Sequence, residues 1–212
     1  MRNLEMSYPV PEKETQIYLE EGEVTEITPR IREIVEQIPG EGREFIESFF
    51  SWLEYSGYFK VEPDGDMNKL LNTEYLQRTA DEIFASRYAI ACAEKAVVLT
   101  SLCRAKGIPA KYVHAVRLDW LQQQDDDPMH LHAFVEVYLD NKWILVDPDP
   151  DAPAKMRIYE ETNYDQSGYV KWSEGLDFRN LTDDEGNHRS WRSLQELKRD
   201  AVVFKQRWQK ED

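Results

Sequence analysis

The chain has 212 residues, enough for one domain with a substantial core, and 26 basic against 41 acidic side chains leave a net charge of -15. That balance offers no basic footprint for phosphates, so nucleic acid is not an expected partner. No apolar run of about 18 residues occurs and "MRNLEMSYPVPEKETQ" lacks an apolar signal core, so neither a membrane partner nor secretion is expected, and a cytoplasmic location follows by default.

Residues 1–27 carry Pro9, Pro11 and a dense acidic run without a sustained period, and read as an irregular N-terminal arm. In "TPRIREIVEQIPG", Thr28 is the expected N-cap and Pro29 the first helical residue, with Ile31, Ile34, Val35 and Ile38 on one stripe and Gly40 beyond the stop. "REFIESFFSWLEY" repeats the helical spacing through Phe45, Phe49 and Trp52 and ends at Gly57. "EPDGDMN" is turn chemistry, and Thr79 caps a helix through "ADEIFASR" that "YAIA" interrupts. The next helix, "CAEKAVVLTSLCRAK", is closed by Gly107 and stopped by Ile108-Pro109.

"AKYVHAVRL" alternates as a strand, with Tyr112, His114 and Val116 on one face and Val113, Ala115 and Arg117 on the other. "QQQDDDP", "DPDAPA" and "TDDEGNHRS" read as loops, the last making His188 a surface residue. "SLQELKRDAVVFKQRWQ" sets Leu194, Leu197, Ala201, Phe204 and Trp208 on one helical stripe that should dock on the core. The expected organisation is an arm over 1–27, a core over 28–150 and an extension over 151–212 ending in a docked helix. Helices followed by a hairpin-rich strand region define an α+β class, a helix packed on an antiparallel sheet.

The hairpin "HLHAFVEVYLDNKWILVDPD" carries the chemistry. With Asp140-Asn141 as a two-residue turn, Val137 faces Ile144 and Val135 faces Val146. Ala133, Val135, Val137, Ile144 and Val146 then form an aliphatic core face, while His132, Phe134, Glu136, Trp143, Leu145 and Asp147 share the other. His132 and Asp147 become diagonal neighbours with backbones roughly 7 to 8 Å apart, close enough for their side chains to meet. An imidazole held by a carboxylate at Nδ1 is fixed in one tautomer and leaves Nε2 as a general base or an anion partner.

The matching nucleophile is Cys92, which opens a helix where unpaired N–H groups and the dipole favour thiolate. Cys103, eleven residues down the same helix, lacks that setting. At about 1.5 Å rise per residue the two sulfurs are roughly 16 Å apart, too far for a disulfide, so both are expected as thiols.

The order Cys, His, Asp resembles the transglutaminase-like superfamily of papain-like thiol enzymes and acyltransferases. The resemblance rests on Cys92, Glu94 and Ala96, on "RAKGIPAKYVHAV", on "HAFVEV" and on "WILVDP", and it covers at least Thr79 to Pro148. Ala91 stands where a glycine is common before the nucleophile, Phe134 where Trp is commoner, and Asp149 where Thr or Ser usually follows Asp-Pro. The resemblance implies a catalytic triad of Cys92, His132 and Asp147 acting on a protein or peptide amide, an oxyanion donor in the Cys92 backbone N–H, and no cofactor.

The rival class is a catalytically silent domain of the same fold used for protein binding. His130 and His132 with His114 or Asp125 to Asp127 are weighed as metal ligands, but no second thiolate pair accompanies them and no metal is expected. Trp52 is read as core, with an oxyanion role as the alternative. The oligomeric state is left open.

Overall fold

The structure, a computed structural model, describes residues 13–59, 66–123, 131–149, 158–183 and 185–211. His130 and the Asp125 to Asp127 run, weighed above as metal ligands, lie outside these residues, as do most of "QQQDDDP" and "DPDAPA".

Five helices lead to the central one: α1 (Lys13–Gln16), α2 (Pro29–Gln37), α3 (Gly42–Ser56), α4 (Met67–Thr73) and α5 (Ala80–Ser86). The local signals act where the sequence puts them. Thr28 Oγ1 accepts the Ile31 N–H ahead of Pro29, and Thr79 and Glu82 close a reciprocal capping box that satisfies two orphan donors. Gly57 ends α3 in the left-handed conformation that a side chain resists. Helix α4 was not anticipated, because its seven residues carry too little period to read.

Helix α6 (Cys92–Ala105) is buried on nearly every side, which is why its apolar residues circle the axis instead of forming a stripe. Ala93, Ala96, Val97, Leu99 and Leu102 join the main core, together with Ala133, Val135, Val137, Ile144 and Val146 of the sheet. The first two strands reached are β1 (Ala110–Arg117) and, after the short helix α7 (Leu118–Gln122), β2 (Leu131–Leu139). Strand β3 (Lys142–Val146) follows across a tight turn. Asp140 and Asn141 have φ of 52° and 64°, the two-residue turn whose twist suits a hairpin, and Val135 faces Val146 and Val137 faces Ile144 as the spacing requires.

The sheet is larger than the sequence indicated. After α8 (Tyr164–Ser167) come β4 (Tyr169–Asp177), β5 (Asn180–Asp183) and β6 (His188–Arg189), giving a six-stranded antiparallel sheet in the order β3-β2-β1-β4-β5-β6. The segment over 151–212 therefore does more than carry a docked helix. Strand β4 hides in sequence because its register slips opposite His114/Ala115 and again between Gly175 and Asp177, breaking the period of two. "TDDEGNHRS", read as a loop, is the end of β5, a turn and β6. The Asp183 carboxylate closes that turn by accepting the N–H groups of Glu185 and Asn187 at 3.1 and 2.8 Å. His188 is exposed.

Two anchors finish the fold. Helix α9 (Leu194–Glu211) buries Leu197, Ala201 and Phe204 against the main core, with Trp172 packed at a tilt against Trp191 and Phe204 at 4.7 and 5.7 Å. The lead-in expected to be irregular continues from α1 into a 3-10 turn, Ile17–Leu19, and is held by tertiary contacts. Tyr18 meets Trp143 edge-on at 5.5 Å, and the buried Arg104 donates to the Tyr18 carbonyl and to Thr25 Oγ1. At Gly22 a Cβ would stand 2.2 Å from Asp177 Oδ2, the oxygen that accepts the Val24 N–H. The outer side of β3 is covered by 158–161, through Tyr159 N to Leu145 O and Leu145 N to Glu161 O, so that edge is not left open.

Candidate active site

The N-terminus of α6 meets the end of the sheet where β2 begins. Cys92 is the first residue of the helix and is partly exposed, while His132, one residue into β2, is 3% exposed. His132 Nε2 lies 2.8 Å from Asp147 Oδ1, and both side chains are buried. The ring is used the opposite way round from the sequence expectation: Nε2 faces the carboxylate, which leaves Nδ1 for the thiol. Aspartate is short and sits beyond the last rung of the β2–β3 ladder, so the farther ring nitrogen spans the diagonal gap.

His132 interacts with Cys92 through a side-chain hydrogen bond. Burial opposes charging the imidazole. The negative charge of the Cys92 thiolate, hydrogen bonds to Asp147 and Cys92, and the Asp147 carboxylate together outweigh it and raise His132 to about 10. Phe134 and Tyr169 wall the ring at 4.7 and 5.2 Å, which keeps water from the imidazole–carboxylate bond. Asp147 Oδ1 also accepts the Asp149 N–H at 2.9 Å, and Asp149 pairs with Lys95, one helical turn from the thiol, at 2.5 Å.

Beneath Cys92 lies a buried ion pair. Glu94, 1% exposed, receives Arg78 Nε at 2.9 Å, a second Arg78 bond through Nη2, and the Ile90 N–H at 2.6 Å. Burial raises the Glu94 carboxyl despite the opposing Arg78 bond and charge. Arg78 also donates to Ser86 Oγ and the Tyr88 carbonyl and lies 4.3 Å over the Tyr88 ring. The acidic residue two places after Cys92 thus fixes the turn that presents the thiol, and Ala91 before it has φ -162° and ψ -174°, ordinary extended backbone.

Other candidates fall elsewhere. Cys103 is fully buried, and burial pushes its thiol up. His114 is buried behind the site, with Nε2 2.8 Å from Tyr112 Oη, and burial followed by the charge of His132 lowers it to about 3. Trp52 stacks on Tyr58 at 5.0 Å as part of an aromatic cluster with Phe84. No group of three or more His, Cys, Asp or Glu able to hold a metal occurs among the described residues. At the Lys95–Asp149 pair runs a cleft of about 500 Å³ that is lined also by Phe50, Leu53, Glu54, Tyr58, Phe59 and Pro148.

Sequence reasoning missed Arg78 and the buried Tyr75, whose side chain is hydrogen-bonded to Cys92. For Arg78 a signal existed: a glutamate on a helix that is apolar all round needs a cation, and Arg78 precedes the Thr79 cap. For Tyr75 none existed, because its segment has no period.

A cysteine on the tip of a buried helix, facing a histidine and an aspartate on adjacent antiparallel strands, describes a papain-like or transglutaminase-like architecture. The sequence profile of the Transglutaminase-like superfamily matches residues 34–148, just over half of the chain, and the chain belongs to that superfamily. Among solved structures, one described as a candidate cysteine protease from Cytophaga hutchinsonii is similar in fold, with a TM-score of 0.54 at 20% identity over 79% of this chain. The chain spans 50% of that protein's length. No curated protein matches the sequence. No helix among the described residues is long and apolar enough to cross a membrane.

Proposed function

We propose that the protein is a thiol-dependent amide hydrolase or acyltransferase, with Cys92 as nucleophile, His132 as acid and base, and Asp147 as the group that orients His132. The observation that carries this reading is the position of His132, bonded through Nε2 to Asp147 at 2.8 Å and hydrogen-bonded also to Cys92. Superfamily membership and the likeness to a candidate cysteine protease support it.

In this reading the Cys92 thiolate adds to the carbonyl carbon and the C=O pair moves onto oxygen, which the Cys92 N–H meets. That N–H is free to act because a first helical position has no intrahelical acceptor. The C–N bond breaks as the His132 imidazolium gives its proton to the leaving amine, and a thioester remains. Water or an amine then adds, its proton passes to His132, and the C–S bond breaks to restore the thiolate. Asp147 holds the ring in the tautomer that directs Nδ1 at sulfur throughout. The chemistry needs no cofactor, and a protein or peptide amide in a cytoplasmic setting is the proposed substrate.

The test is trapping with a peptidyl electrophile, read by intact mass. Adduct on Cys92 in the wild type, lost in Cys92→Ala and strongly slowed in His132→Ala, is the expected result. A Cys92 no more reactive than an exposed thiol and indifferent to His132→Ala would favour a silent binding domain.

A further inference from the structure

Resting on the acyl-transfer reading above, we infer that the cleft at the Lys95–Asp149 pair is a specificity site that receives a basic side chain, arginine or lysine, of the peptide substrate, with Glu54 as the residue that reads its charge. The cleft holds about 500 Å³, within the usual range of a ligand site and ample for an extended side chain of that length. Its inner end is tied to the candidate triad. Lys95 follows Cys92 by one turn of α6, its Nζ donates to Asp149 Oδ1 at 2.5 Å, and the Asp149 N–H donates to Asp147 Oδ1 at 2.9 Å. A side chain seated against that pair therefore belongs to a residue near the reacting amide.

The charge of the cleft selects the sign of its ligand. Among the described residues that line it, the charged ones are Glu54, Lys95 and Asp149. Lys95 and Asp149 neutralise each other, whereas the Glu54 carboxylate makes no ion pair with any described residue. Glu54 stands on α3 one turn after Phe50 and next to Leu53, so it shares the helix face that carries the apolar wall. One uncompensated negative charge remains, on a chain of net charge -15, and both attract a cation. An acidic side chain would have to displace Asp149 from Lys95 while facing Glu54.

The rest of the wall suits the stem that carries a basic head. Phe50, Leu53, Tyr58, Phe59 and Pro148 offer apolar surface to the methylenes of arginine or lysine, and aromatic rings attract the cationic end. These rings are fixed before a ligand arrives, which lowers the entropy cost of binding. Gly57 turns the chain at φ 77°, and Phe59 stands at φ 59°, a conformation that a bulky residue adopts only when its surroundings impose it. The Phe59 N–H is held by the Arg87 carbonyl at 2.9 Å. Phe59 then stacks on Phe84 at 5.7 Å and Tyr58 on Trp52 at 5.0 Å, so the wall is braced from behind and does not collapse into the cleft.

The experiment measures binding apart from chemistry, on the full chain carrying Cys92→Ala. Three alanine-rich hexapeptides differ at one central residue, which is arginine, citrulline or glutamate; citrulline keeps the length and shape of arginine without its charge. Affinities are read by NMR titration, and folding by circular dichroism. The arginine peptide should bind about tenfold more tightly than the citrulline peptide, with shifts concentrated at 50–59, 95 and 149, and the ratio should fall below about threefold when Glu54→Gln is added. Equal affinities for arginine and citrulline, tighter binding of the glutamate peptide, or a preference that survives Glu54→Gln would each overturn the inference. So would shifts centred elsewhere, or no binding of any peptide at millimolar concentration. The arginine preference, found together with a wild type whose Cys92 is inert to peptidyl electrophiles, would leave the selectivity of the cleft standing and overturn the acyl-transfer reading.

Discussion

The pairing of His132 is the quantity most open to direct measurement. Raising an imidazole from 6.5 to about 10 means that its charged form is favoured by on the order of 5 kcal/mol, at roughly 1.4 kcal/mol per tenfold, against the penalty of burial. Cys92 supplies the strongest raising influence, its charge, and a hydrogen bond as well; Asp147 supplies a hydrogen bond and a weaker charge effect. Cys92→Ala should therefore lower the His132 midpoint more than Asp147→Asn, and each should lower it. With the thiolate gone, burial meets only Asp147, and a drop of at least about two pH units, on the order of 3 kcal/mol, is expected. The assay is an NMR titration of the imidazole nitrogens, with the His132 signals identified by their loss in His132→Gln. The same pairing fixes a pH limb. Imidazolium persists below about 10 and is lost as pH rises through that value, so turnover should decline there. A His132 that titrates at the ordinary imidazole value in the wild type, or that ignores Cys92→Ala, refutes the thiolate–imidazolium pair.

Three further outcomes are expected. His114 is neutral in the fold at about 3 and takes up a proton near 6.5 when unfolded, so its contribution is present above 6.5 and lost as pH falls toward 3; the sum is on the order of 5 kcal/mol, and His114→Gln should flatten the acid limb of urea midpoints. Arg78→Met strips a buried carboxylate of its partner and should cost about 3 to 5 kcal/mol by denaturant titration, with slower alkylation of Cys92 as the turn before it loosens. Iodoacetamide should label Cys92 in the native protein and Cys103 only after denaturation, because Cys103 is fully buried; equal native labelling at both sites, read by peptide mass, would contradict the packing of α6.

What the sequence determined by itself is local. Pro29 after Thr28, the Thr79–Glu82 pair and Asp140-Asn141 are chemistries that act within a few residues, and each sets the cap or turn it announces. The hairpin register follows from its turn, and the register alone puts His132 and Asp147 on one face. The position of Cys92 at a helix start was equally legible, because a helix boundary is a short-range event. Tertiary structure decided the rest. Strand β4 breaks its own alternation with two register slips and is specified by pairing with β1, so no window of sequence reveals it. The lead-in is ordered by Arg104 and Asp177, which lie far along the chain. The ring nitrogen that faces Asp147 depends on a side-chain reach across strands, which a register does not specify. Arg78 and Glu94, sixteen residues apart, pair inside the core, where a buried charge must find its counterpart wherever the fold supplies it.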